Sequence, residues 1–201
     1  HVNMSQSTND VFPTAMRIAA VIANDKLVDV LKGLSKALHS KGREFDRFIK
    51  SGRTHLQDAV PIRLGQEFKA YGDIIDNVTK EIQQAGRRLL LLGIGGSAVG
   101  TGVNTHPQYQ KKIIAHLRRL TGFKFAGSKN LIASMQSMGH FMSLSGTLRL
   151  LAVEAIKIAN DLRLMSSGPR TGLAEIRLPA VQPGSSIMPG KVNPVMAEVL
   201  N

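Results

Sequence analysis

Apolar residues at Leu64, Phe68, Tyr71, Ile75, Val78, Ile82, Ala85, Leu89 and Leu92 step by four and three without a break. Only a helix puts such positions on one side, and about eight turns of it make a coiled-coil-like seam. A second seam runs through Leu27, Leu31, Leu34 and Leu38 to Phe45 and Phe48, and a third through Leu144, Leu148, Leu151, Ala155, Ile158, Leu162 and Met165. A further helix is predicted to start near Asn9 or Asp10, whose side chains can cap it, with Pro13 tolerated in its first turn. Shorter helical patterns follow Pro107, ending at Gly122, and Asn130, running on into the third seam. No alternating strand of any length is visible. The predicted fold class is therefore all-α, an elongated bundle of long, nearly parallel helices. Helices of that length bury their seams most readily when several copies of the chain pack together, so a homo-oligomer is expected.

Composition narrows the function classes. The 201 residues are 43% apolar and 20% charged, which is globular, and cysteine is absent, which excludes disulfides, thiolate ligands and cysteine nucleophiles. No apolar run reaches the roughly 18 residues that span a bilayer and no export signal opens the chain, so a cytoplasmic protein with no membrane partner is expected. The net charge of +12 favours anionic partners. Nucleic acid is not the expected one: aromatics are 4%, tryptophan is absent, and the basic residues are scattered in pairs such as Arg87-Arg88, Lys111-Lys112 and Arg118-Arg119. Such pairs read first as solvated helix faces.

Four segments fall outside the helical periodicity: residues 1 to 10, 51 to 61, 93 to 106 and 166 to 194. GIGGSAVGTG, from Gly93, superficially matches a phosphate-binding loop, but a helical seam precedes it where a strand should, so it reads as a tight turn. In SQSTND, Ser7, Thr8 and Asn9 read as a helix cap or, with the helix N-terminus, as an anion site. In SGRTHLQDAVP, Thr54 and His55 sit in an ordered turn, where a histidine among hydroxyl and amide donors can orient an anion or relay a proton. GSSIMPGKVNP, from Gly184, is a loop too broken for helix or strand. Lys191 and Asn193 there can stabilise a carboxylate that gains charge when a neighbouring proton leaves, and Ser185 or Ser186 can act as base if a positive field holds it deprotonated. The plain alternative for each segment is a structural turn.

HVNMSQSTNDVFPTA, GRTHLQDAVP and GSSIMPGKVNP resemble, nearly residue for residue and in order, the three blocks of the aspartase and class II fumarase superfamily. GTGVNTHPQY and IANDLRLMSSGPR extend the resemblance over the whole chain. The resemblance implies an anti-elimination that yields fumarate through a carbanion held as an aci-carboxylate. It implies Ser185 on a flexible loop as the base, Lys191 and Asn193 as carboxylate clamp, and Ser7, Thr8, Asn9 and Thr54 as substrate-binding residues. His55 matches the family's histidine paired with a glutamate, here Glu198. It further implies a homotetramer of long helices whose sites are shared between subunits and a small dicarboxylate substrate; no metal site is implied by spacing, and no cofactor is expected. Ile187, Met188 and Pro189 are expected to pack and pivot the loop.

The chain departs from the family by lacking the N-terminal block GSxTxxNMNxNEV and a C-terminal domain, so residues 1–201 are expected to be the central helical-bundle domain of a longer protein. Ser-Thr-Asn at 7 to 9 and NPVMAEV from Asn193 lean toward aspartase, with ammonia leaving L-aspartate. DVFPTAM and NTHPQY suit fumarase equally, so the hydration of fumarate to L-malate stands as the alternative. A reading of another class is a helical scaffold or basic nucleic-acid-binding module without catalysis.

Overall fold

The computed structural model describes residues 1–201, which divide into two compact units, His1–Leu148 and Arg149–Asn201. The fold is mostly helical, as the seams require. In the first unit, α1 (Thr8–Glu44) is one helix of 37 residues, about 55 Å long, where the sequence suggested a helix from Asn9 or Asp10 and a separate seam from Leu27. Its N-cap is Ser7, not Asn9 or Asp10. Pro13 consequently lies in the second turn, and its missing N–H leaves the Asn9 carbonyl without an intrahelical donor. The buried stripe of α1 runs through Val21, Val28, Leu31, Ser35 and Leu38, while Leu34 is exposed. After Glu44 the chain tightens into a 3₁₀ turn, Phe45–Arg47, so Phe45 packs edge-on against Phe68 from outside any α-helix.

The helix α2 (Leu64–Arg88) runs antiparallel to α1 and buries the longest seam from Leu64 to Ala85, with Leu89 and Leu92 buried just beyond its end. Ile75, Ile82 and Leu89 are fully buried, each worth about 1.5–3 kcal/mol of apolar transfer. Three glycine notches let the two backbones approach. A Cβ on Gly65 would lie 2.3 Å from the Gly42 carbonyl oxygen, one on Gly72 2.7 Å from the His39 ring, and one on Gly86 2.3 Å from Asn24 Nδ2. The imidazole fitted over Gly72 bonds Asp76 at 3.1 Å, and a Ser35 hydrogen bond, then that histidine, hold the Asp76 carboxyl below the usual carboxylate range.

Between the helices lies a hairpin that the sequence did not suggest. β1 (Ile49–Thr54) pairs antiparallel with β2 (Gln57–Arg63), the last pair being Thr54 with Gln57. Most of β2 is exposed, so it has no apolar alternation to read. His55 and Leu56 form the two-residue turn at φ 55° and 62°, the geometry that Asn-Gly normally supplies. Leu56 is exposed and gains nothing in return. Leu56→Gly is expected to stabilise the fold by about 1 kcal/mol, read as a rise in the denaturant midpoint at constant slope.

The seam continues past α2, but its last residues leave the helix: β3 (Leu91–Leu92) pairs parallel with β4 (Ala126–Gly127). Between them α3 (Tyr109–Thr121) ends at Gly122, whose φ of 78° is the left-handed cap expected there. Asn130 caps α4 (Leu131–Gln136). That helix does not run on into the third seam. Ser137 turns extended and its Oγ accepts the Gly139 N–H, so α5 (Gly139–Met165) starts afresh.

In the second unit Ile158, Ala159 and Met165 of α5 are buried, whereas Val153 and Ile156 are exposed. A largely irregular segment leads to α6 (Val195–Leu200). No helix is long and apolar enough to cross a membrane.

Candidate functional site

Local chemistry places the first group of candidate residues. Ser7 caps α1 by accepting the Asn9 N–H at 3.2 Å, so the cap reading is realised; its hydroxyl proton remains to be donated. Thr8 and Asn9 are exposed at the helix N-terminus, where backbone N–H groups and the dipole favour anions. Asn9 Nδ2 donates to the Ala98 carbonyl at 2.8 Å, leaving Oδ1 as an acceptor.

The residue the sequence reading missed is Asp10. It is fully buried, and its carboxylate accepts the N–H groups of Ser7 at 2.8 Å and of Gly95 and Ser97 at 3.0 Å each. It thereby fastens the glycine-rich turn, with Gly95 and Ser97 both at positive φ, onto the start of α1. The capping-box spacing Ser7-x-x-Asp10 was a signal for the local bond; nothing in it signals a bond across 85 residues.

Deeper along α1, Arg17 is buried, with Nη1 3.1 Å from His140 Nδ1, its guanidinium over the Phe141 ring and Nε without a partner. Burial lowers the pKa of both groups, and for His140 the Arg17 and Arg88 charges add to it. A depressed histidine resists protonation when folded but takes a proton near pH 6.5 when unfolded. Its contribution is therefore intact above that pH and lost as pH falls through the depressed value. Chemical denaturation between pH 7.5 and 5 should show a loss of stability that His140→Gln reduces.

Thr54 and His55 are exposed at the hairpin tip. They stand together, but apart from Ser7, Thr8 and Asn9. At most 11 residues lead from Glu44 to His55, about 38 Å fully extended, against the 55 Å or so of α1.

In the second unit the loop from Gly184 closes on itself. The Ser185 N–H donates to the Lys191 carbonyl at 3.0 Å and the Lys191 N–H to Met188 at 3.2 Å. Gly184 and Gly190 take φ of 93° and 80°, and a Cβ on Gly184 would meet the Lys191 carbonyl oxygen at 2.2 Å. Ser185 and Lys191 are thus held side by side. Ser185 Oγ accepts the Ile187 N–H at 3.4 Å; Ser186 is exposed beside it. Ile187 and Met188 are exposed too, correcting the expectation that they pack. Asn193 precedes α6, on whose exposed face Glu198 stands.

A family described as lyase matches residues 1–201 in full. The chain belongs to the lyase family of aspartases and class II fumarases. It is 52% identical to aspartate ammonia-lyase of Bacillus subtilis (strain 168) and 48% identical to class II fumarate hydratase of Nitrosomonas europaea, each over all 201 residues. Those residues are 42% and 44% of these two lyase-family relatives, so the chain spans less than half the length of the proteins it matches. Among solved members of the family, a fumarate lyase:delta crystallin from Brucella melitensis bound to cobalt superposes with a TM-score of 0.94 at 50% identity, all of this chain on 44% of that one. Recombinant class II fumarase from Schistosoma mansoni gives 0.95 at 38%, all of this chain on 45% of it.

His39, Asp73 and Asp76 bring one ligand atom each within 4.8 Å of one another. Their direct contacts, 3.1 Å and 3.7 Å from His39, serve to hold α1 to α2.

Proposed function

We propose that the full-length protein eliminates ammonia from L-aspartate to give fumarate. The observation that supports this is the closed loop from Gly184, in which the Ser185 N–H bonds the Lys191 carbonyl. In this reading Ser185 Oγ removes the proton next to the carboxylate that becomes the aci-form, helped by the Ile187 N–H and by the positive field of Lys191. Lys191 and Asn193 bind that carboxylate. Ser7, Thr8 and Asn9 bind the other end of the substrate with the N-terminus of α1, and the free Asn9 Oδ1 suits the ammonium. Thr54 and His55 orient the substrate, and Glu198 pairs with His55 to pass a proton.

The separation of the hairpin tip from the start of α1 supports a site assembled from several copies, and the exposed Val153 and Ile156 of α5 support the homotetramer. Residues 1–201 then serve as its central helical domain, in the cytoplasm. The scaffold reading has no support of this kind, since every residue matched to the family's three blocks is present.

The second reading is fumarate hydratase, favoured by the 48% identity to the Nitrosomonas europaea enzyme. The test is the ultraviolet absorbance of fumarate formed by the full-length protein from L-aspartate or from L-malate. Signal from aspartate alone supports the first reading; signal from malate alone replaces it with the second; neither signal removes both.

A further inference from the structure

Between Glu81 and Glu154 the chain has no acidic residue, yet this stretch carries nine lysines and arginines, six of them in the pairs Arg87-Arg88, Lys111-Lys112 and Arg118-Arg119. Elsewhere Lys32, Lys41, Lys50, Arg63 and Lys69 each have a carboxylate within reach. None of the nine does. Of the grounds for expecting no nucleic-acid partner, few aromatics, no tryptophan and the scatter of these pairs along the sequence, the fold of the first unit removes the scatter.

The helix α3 buries Ile114, whose side chain lies against Gly127 of β4. At 100° per residue Lys111, Lys112, Arg118 and Arg119 fall within an arc of about 120° that begins beside Ile114 at Arg118 and Lys111 and reaches the opposite side at Lys112 and Arg119, and all four are exposed. Arg118 is occupied, donating from Nε to the Phe125 carbonyl. That bond folds the chain after Gly122 back on α3, which brings the exposed Lys124 to the same end. Phe123 lines one cleft with Arg87, Lys32 and a single carboxylate, Asp25, so the last turn of α2 adds a further cation there.

We infer that this face, Lys111, Lys112, Arg119, Lys124 and Arg87, binds the phosphate backbone of a nucleic-acid duplex without reading its sequence. A rigid helix displaying unrelieved charge of one sign over about 12 Å suits a polymer with one phosphate charge per roughly 1.7 Å of axis. Single strands need stacking platforms, and Phe125 is buried here. A lipid surface needs a row of apolar anchors, and this helix exposes one large apolar side chain, Leu120.

The test measures binding of the full-length protein to a fluorescent 30-base-pair duplex by anisotropy, with lyase activity followed separately. Five phosphate contacts predict a log–log salt slope near −4.5, about 500-fold weaker binding at 200 mM than at 50 mM salt. The variant K111Q/K112Q/R119Q/K124Q leaves Arg87 alone and should reduce the slope to about −1, with circular dichroism and lyase activity unchanged. No binding at 50 mM salt, or a slope the variant leaves intact, overturns the inference. So does variant-sensitive binding to phosphatidylserine vesicles without binding to duplex, which would assign the face to a membrane.

Discussion

Ser185→Ala in the full-length protein is expected to lower kcat for fumarate formation by about 10³-fold, with fumarate binding and oligomeric state kept. The loop closure that sets this residue beside Lys191 uses backbone groups alone, so alanine leaves it standing. The one side-chain bond lost is the long contact from the Ile187 N–H. Proton abstraction should fail while the carboxylate clamp persists, so the change lies in kcat and spares the substrate dissociation constant. Lys191→Met, by contrast, removes charge that acts on bound substrate and on the intermediate, so both parameters should move. Should Ser185→Ala retain more than a few per cent of turnover, Ser186 is the next serine to test.

The second large effect is on stability. Asp10→Ala is expected to cost the folded state about 3–4 kcal/mol, read by denaturant unfolding of the full-length protein. Three backbone N–H groups lose their acceptor at once, and that of Gly95 is itself buried. Asp10→Asn should rescue little, because an amide offers one oxygen where two are used and points its NH₂ at a donor. Hydrogen exchange at Gly95 and Ser97 should accelerate in both variants. Loss spread evenly over the chain, with those two amides still protected, would refute Asp10 as the fastener of the glycine-rich turn.

Much of the helical frame is legible because burial writes itself into spacing. From Leu64 to Leu92 each seam residue is buried, and Gly122 and Asn130 end and begin helices where their backbone preferences place them. The hairpin is illegible for the converse reason: β2 is mostly exposed, β1 is half-buried without alternation, and His55-Leu56 lacks the chemistry of the turn it makes. Periodicity likewise overran α2, since Leu92 is buried as a strand residue by pairing with β4, a contact formed far along the chain. The blocks that hold Ser7, Thr8, Asn9, Thr54, His55, Ser185, Lys191, Asn193 and Glu198 stand out as polar interruptions and by family resemblance. What the sequence could not give is Asp10 as a tertiary ligand of backbone, or the collection of separated basic pairs on one surface, because both depend on which loops return to which helix.

The glycine notches between α1 and α2 act as a ruler. Each matches one residue of α2 to one of α1, and the paired positions sum to nearly the same number along the helices: Gly65 with Gly42, Gly72 with His39, Gly86 with Asn24. One residue inserted in either helix would turn every later notch by about 100° and drive a backbone or a ring into a Cβ. Descendants of this chain are therefore free to vary in length at their loops, while these two helices must change by substitution alone.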